Sequence, residues 1–124
     1  MARILRKAVV VINEQHSLFP EQEEILNKEF ISWEFVKVPA EGWTLKEMQL
    51  KAGEWNLKMF TSEYYAVVFA SPIPYLIKVM TEISYSDFYN QSLVMVFHND
   101  HRDKKELPNG KIIQIVSSTG WQLV

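Results

Sequence analysis

The chain has 124 residues, 48% of them apolar, with seven Phe, five Tyr and four Trp, which is enough to bury one core and hardly two. The absence of Cys excludes disulfide frameworks, thiolate nucleophiles and sulfur-ligated zinc, and it fits a reducing compartment, so a single cytoplasmic domain is the expectation. Thirteen Lys and Arg against fifteen Asp and Glu give a formal net charge of -2, which argues against a protein that blankets duplex DNA with cations; an anionic ligand must be met by a local basic cluster.

Taken in chain order, Met1 to Lys7 is charged, and the apolar run after it ends at Ile12, before polar Asn13-Glu14-Gln15-His16. No small-residue cleavage site follows and no stretch approaches the roughly 20 apolar residues of a bilayer span, so neither a secretion signal nor a membrane segment is expected. Ala8-Val9-Val10-Val11-Ile12 is a continuous, mostly β-branched run, the pattern of a central strand covered on both faces. Pro20-Glu21-Gln22-Glu23-Glu24 predicts a helix start, with Pro in the first turn, acids beside the positive end of the dipole, and a short apolar face from Ile25 and Leu26. Phe30 to Val38 alternates as a second strand closed by Pro39. Thr44-Leu45-Lys46-Glu47 has capping-box spacing and predicts a helix from about Leu45 to Trp55, with Leu45, Met48, Ala52 and Trp55 on one face and Gly53 weakening its last turn.

Tyr64 to Phe69 reads as a third strand, and Ser71-Pro72-Ile73-Pro74 as the start of a helix with a Leu76, Ile77, Met80 and Ile83 stripe. Ser92 to Phe97 is the expected fourth strand. Asn109-Gly110 between two strand-like pieces signals a tight hairpin returning through Ile112 to Val116, and the apolar tail Trp121 to Val124 is expected to dock. Strands alternating with helices and followed by a hairpin predict a three-layer, Rossmann-like α/β fold, its mostly parallel sheet carrying an antiparallel addition at one edge.

In such a sheet, ligands collect outside the carboxyl ends of the strands. If strands one, three and four are parallel neighbours, Asn13 to Ser17, Ala70-Ser71-Pro72 and His98 to Lys105 converge on one rim. There is no Gly-x-Gly-x-x-Gly after the first strand and no Gly-Lys-Ser/Thr loop, so dinucleotide-binding and P-loop readings lack support. Ser71 is either a phosphate ligand beside free backbone N–H groups or a plain N-cap. His16 is either a general acid or base, since imidazole changes charge near neutral pH, or a solvated loop residue packed on Phe19. His98 and His101 with Asp100 and Asp103 form an unspecific pattern, and no metal is expected there. Arg102, Lys104 and Lys105 read as an anion patch or as a solvated charged turn weakened by Asp100, Asp103 and Glu106. Trp33, Trp43 and Trp55 fit core packing better than base stacking.

Asn13-Glu14-Gln15-His16-Ser17-Leu18-Phe19-Pro20-Glu21-Gln22 after the first strand, Ser71-Pro72 after the third, and Phe97-His98-Asn99-Asp100 with Arg102 in a terminal strand-hairpin unit together resemble the small stand-alone proteins of the CRISPR-associated Rossmann-fold class, the ring nucleases of type III systems. The resemblance implies a homodimer with one symmetric pocket that binds a cyclic oligoadenylate and linearises it without metal or other cofactor. It further implies His16 or His98 as the acid or base, and Arg102 with Lys104 for transition-state charge. Asn13, Ser17, Ser71 and Asn99 would be ligand contacts. A sensor of the same fold that binds without cleaving, and a protein-interaction module built on the hairpin and tail, are the alternatives.

Overall fold

A computed structural model gives the fold and describes residues 6–61, 63–86 and 93–124. The elements are β1 (Lys7–Asn13), α1 (Pro20–Glu29), β2 (Ser32–Val38), α2 (Leu45–Phe60), β3 (Ala66–Phe69), α3 (Pro74–Ser86), β4 (Leu93–Asn99), β5 (Arg102–Glu106), β6 (Ile112–Val116) and β7 (Trp121–Leu123). The expected strand start at Ser92 and the side chain of Ile83 lie outside the described residues.

Five strands form one sheet in the order β2-β1-β3-β4-β7, parallel except for β7. β1 is central, as its unbroken apolar run requires: Ala8 to Val11 are fully buried. Alternate residues of β1 and β3 face opposite layers. Val9, Val11, Val67 and Phe69 pack with Ala52, Trp55 and Met59 of α2 and Leu76 and Met80 of α3. Ala8, Val10, Ala66 and Val68 pack with Leu26 of α1 and with Phe30. The three-layer α/β arrangement is thus present. Trp55 is buried with Trp43 against it, and Trp33 packs at the edge of the α1 layer.

Local chemistry fixes the helix starts. Thr44 Oγ1 accepts the Glu47 N–H at 3.1 Å and Glu47 accepts the Thr44 N–H at 3.0 Å, closing the expected capping box. The helix it opens runs to Phe60, one turn beyond the expected end at Trp55, because Met59 continues the buried stripe of Ala52 and Trp55. α1 begins at Pro20, and its start carries half a capping box: Gln22 accepts the Phe19 N–H at 2.9 Å, while Phe19 has no side-chain acceptor to return the bond. Phe30 ends α1 and packs in the core, so β2 starts two residues later than the sequence pattern implied.

The C-terminal quarter differs most from expectation. The hairpin is present, with β5 and β6 paired from Arg102↔Val116 to Glu106↔Ile112 and turned at Gly110, whose φ of 83° suits glycine. It forms a separate two-stranded sheet; the antiparallel strand added to the main sheet is β7, paired with β4. The docked tail is therefore a strand, and Val124 exchanges backbone hydrogen bonds with Val96. The charged run 102–106 is not a turn but a strand exposed along its length, held by ladder pairing to β6.

Candidate functional site

The direction of crossover reverses between β1 and β3, since β1 leads to β2 on one side and β2 leads back to β3 on the other. In an open α/β sheet that reversal opens a crevice at the carboxyl ends of the two strands. The parallel registers are level there: Val11 pairs with Phe69, and Phe69 with Val96. Two residues beyond that row stand Asn13, Ser71 and His98, so three residues far apart in sequence arrive at one height.

A pocket of about 690 Å3 opens at this rim. Its walls include Gln15, His16, Ser17, Ser71, His98, Asn99 and Arg102, with Phe19, Gln22, Phe97, Val116 and Trp121 closing one side. Ser71 is its anchor. The hydroxyl accepts the Asn13 N–H at 2.9 Å and lies 3.0 Å from His16 Nδ1. Ser71 is not an N-cap, because Pro72 and Pro74 delay α3 until Pro74, three residues later; the buried hydroxyl instead ties the end of β3 to the turn after β1. The Ser71 Oγ contact leaves His16 Nε2 as the ring nitrogen available to a ligand. When Ser71 donates to Nδ1, Nε2 carries the proton of the neutral ring; when Nδ1 donates to Ser71, Nε2 is an acceptor.

Asn13 itself does not line the pocket. Its Oδ1 accepts the Gln15 N–H at 2.9 Å, and its carbonyl accepts the His16 N–H at 2.9 Å, so it builds the turn that presents His16. Asn99 lines the pocket but is buried, and both ends of its amide are held by the chain. Oδ1 accepts from Arg102 Nη1 at 3.0 Å and from the Ser117 N–H at 3.3 Å, while Nδ2 donates to the Thr119 carbonyl at 2.9 Å. Arg102 Nη1 also reaches the Asn99 carbonyl at 3.1 Å and the His101 carbonyl at 3.0 Å. One edge of the guanidinium is thus fixed to the rim, and Nε and Nη2 meet no acceptor among the described residues.

His98 lines the pocket with Nε2 3.1 Å from Asp100 Oδ1, and Gln122 holds the other Asp100 oxygen at 2.6 Å. Lys104 follows Arg102 by two residues on the same face of the hairpin and lies outside the pocket wall. His101 also stands away from it, with its ring over Gly120, where a Cβ would come within 2.3 Å of His101 Cδ2. Among the described residues no three His, Asp or Glu side chains gather as a metal-binding group.

Sequence reasoning missed the aromatic wall. Trp121 stacks on Phe19 with ring centroids 5.9 Å apart and meets Phe97 edge to face at 6.1 Å. Its Nε1 donates to the Ser117 carbonyl at 3.1 Å and its backbone N–H to Glu21 Oε1 at 2.6 Å. The apolar tail hinted at docking, but only the β4–β7 pairing brings Trp121 to the start of α1.

Comparisons with protein-family models, with curated proteins and with solved structures returned no match. Among the described residues no helix is long and apolar enough to cross a membrane.

Proposed function

We propose that this pocket binds a cyclic oligoadenylate and linearises it, the ribose 2′-hydroxyl attacking the adjacent phosphorus and the 5′-oxygen leaving, to give a linear product with a 2′,3′-cyclic phosphate. The observation that carries the reading is the Asn13–Ser71–His16 constellation at the crevice between β1 and β3, with the fixed Arg102 guanidinium on the same pocket wall. Such a cleavage needs the 2′-oxygen in line with the scissile bond, charge placed at the phosphoryl oxygens, and a proton for the leaving oxygen. Arg102 offers two unspent donor groups for the phosphoryl oxygens, joined by Lys104 where the ring extends along the hairpin. With Ser71 donating to Nδ1, His16 Nε2 gives its proton to the leaving 5′-oxygen, and the 2′-hydroxyl proton passes to water. His98, already paired with Asp100, is the competing acid or base. Ser17 and the aromatic wall complete the ligand surface, and no cofactor enters the scheme.

The working unit of this proposal is a cytoplasmic homodimer. A ring is two-fold symmetric when it has an even number of nucleotides, and one open pocket covers only part of it. A two-stranded hairpin is marginal alone in water, and this one exposes Ile112 and Val116 on one face, Val116 at the pocket wall, which offers an apolar surface to a second copy. The proposal is tested by incubating the protein with labelled cyclic tri-, tetra- and hexa-adenylate in chelator and resolving the products by chromatography. Linear product identifies the ring. Tight binding of an intact ring makes the protein a sensor, and absence of both removes the reading.

A further inference from the structure

The aromatic side of the pocket holds a polar group that the cleavage scheme does not use. Gln22 is 3% exposed and lines the pocket together with Phe19 and Trp121. Its carboxamide has a fixed polarity: Oε1 accepts the Phe19 N–H at the start of α1, at 2.9 Å, so Nε2 is the end left for a ligand. Nε2 has no hydrogen-bond partner among the described residues. The other polar groups of this wall are spent, since Trp121 Nε1 is bound to the Ser117 carbonyl and the Trp121 backbone N–H to Glu21. A donor that meets the pocket while the rest of its side chain is covered favours a ligand that brings an acceptor over one that brings a second donor. The rings of Phe19, Trp121 and Phe97 on the same wall favour a ligand that packs against aromatic faces or edges.

We infer that this wall is a nucleobase subsite in which Gln22 Nε2 donates to an unprotonated ring nitrogen of adenine, making Gln22 a specificity-determining residue. The inference rests on the ring-binding reading and adds to it the edge by which the base is chosen. Adenine offers three such nitrogens, and replacing one of them by C–H removes the acceptor while leaving the flat ring and its apolar area almost unchanged. A phosphate contact at His16, Ser71 or Arg102 is indifferent to that replacement.

The test measures calorimetric binding of the full chain to whichever of cyclic tri-, tetra- or hexa-adenylate it binds, made with 2′-deoxyribose, which lacks the nucleophile, and to the 1-deaza, 3-deaza and 7-deaza forms of that ring. One deaza form is expected to bind about tenfold more weakly than the parent, and that gap is expected to close to within about twofold in Gln22→Met. Gln22→Glu is the companion variant, because a carboxylate oxygen still accepts the Phe19 N–H and preserves the helix start. It is expected to stay folded, with the helix content of the parent by far-ultraviolet circular dichroism, and to lose at least about tenfold in affinity for the parent ring. Equal binding of all four rings, or a gap that survives in Gln22→Met, overturns the inference and leaves the ring-binding reading standing. No binding of cyclic tri-, tetra- or hexa-adenylate by the unaltered protein overturns both.

Discussion

Replacing Ser71 by Ala removes one hydroxyl with two partners, and the structure ranks their worth. Ser71 is 3% exposed and accepts the Asn13 N–H at 2.9 Å, so that N–H loses its acceptor at a half-buried strand end. An enclosed donor left unpaired costs about 1–3 kcal/mol. The second partner, His16, is exposed, and water replaces the lost bond, so His16→Ala costs about 0.5 kcal/mol or less. For a chain of 124 residues each 1 kcal/mol moves Tm by about 4 °C. Ser71→Ala is therefore expected to lower Tm by about 8 °C, and His16→Ala by about 2 °C at most. In the double variant the two costs fall short of additive by about 0.5 kcal/mol, the share carried by the His16–Ser71 contact. Urea unfolding followed by far-ultraviolet circular dichroism reads all four proteins, and an unchanged m value shows that only stability moved. A Ser71→Ala protein as stable as the parent would refute the anchor role. So would a His16→Ala cost equal to that of Ser71→Ala, because the Asn13 bond would then contribute nothing.

Gly53 lies inside α2, exposed, with no atom within 4 Å of the place an added methyl group would take, so Gly53→Ala is expected to stabilise the protein by about 0.5–1 kcal/mol, read as a rise in urea midpoint. Gly120 has φ of 84° and sits under the His101 ring; Gly120→Ala is expected to lower Tm by several degrees, about 1–3 kcal/mol, where an unchanged Tm would contradict the close approach. At the start of α2, the bonds from Thr44 hold the Glu47 carboxyl below its ordinary value of 4.5, so the stability it lends is present above that value and lost as the pH falls through the depressed one. Against Glu47→Gln, the stability difference is expected to shrink between about pH 6 and about pH 3, as measured by thermal unfolding across that range.

Several of these features could be read from sequence because their causes are local. Ala8 to Ile12 can be buried on both faces only in a central strand, Thr44 and Glu47 stand at the one spacing that closes a box, and Asn109-Gly110 supplies the turn backbone. Other features depend on partners far along the chain. Phe30 continues the apolar alternation of β2 in sequence, yet it caps α1 because Leu26 and Val10 offer it a core. Arg102 to Glu106 has the composition of a solvated turn and is a strand only because Ile112 to Val116 pairs with it. Ser71 looks like a cap, but two prolines push the helix start past it and free its hydroxyl for Asn13. The meeting of Asn13, Ser71 and His98 followed from the assumption of level parallel strands, whereas the Phe19–Trp121 wall joins opposite ends of the chain and left no mark in local pattern.

The central claim is that His16, held by Ser71, protonates the leaving oxygen while the 2′-hydroxyl of a cyclic oligoadenylate attacks. Transesterification of this kind adds no water, so the linear product has the mass of the ring. The decisive measurement is mass spectrometry of a single-turnover reaction in chelator, using the ring that the protein binds, beside His16→Ala. A linear isomer of unchanged mass that forms in the parent and falls by at least about a hundredfold in the variant is the predicted result. A ring left intact, a product one water heavier, or a variant as active as the parent would contradict it.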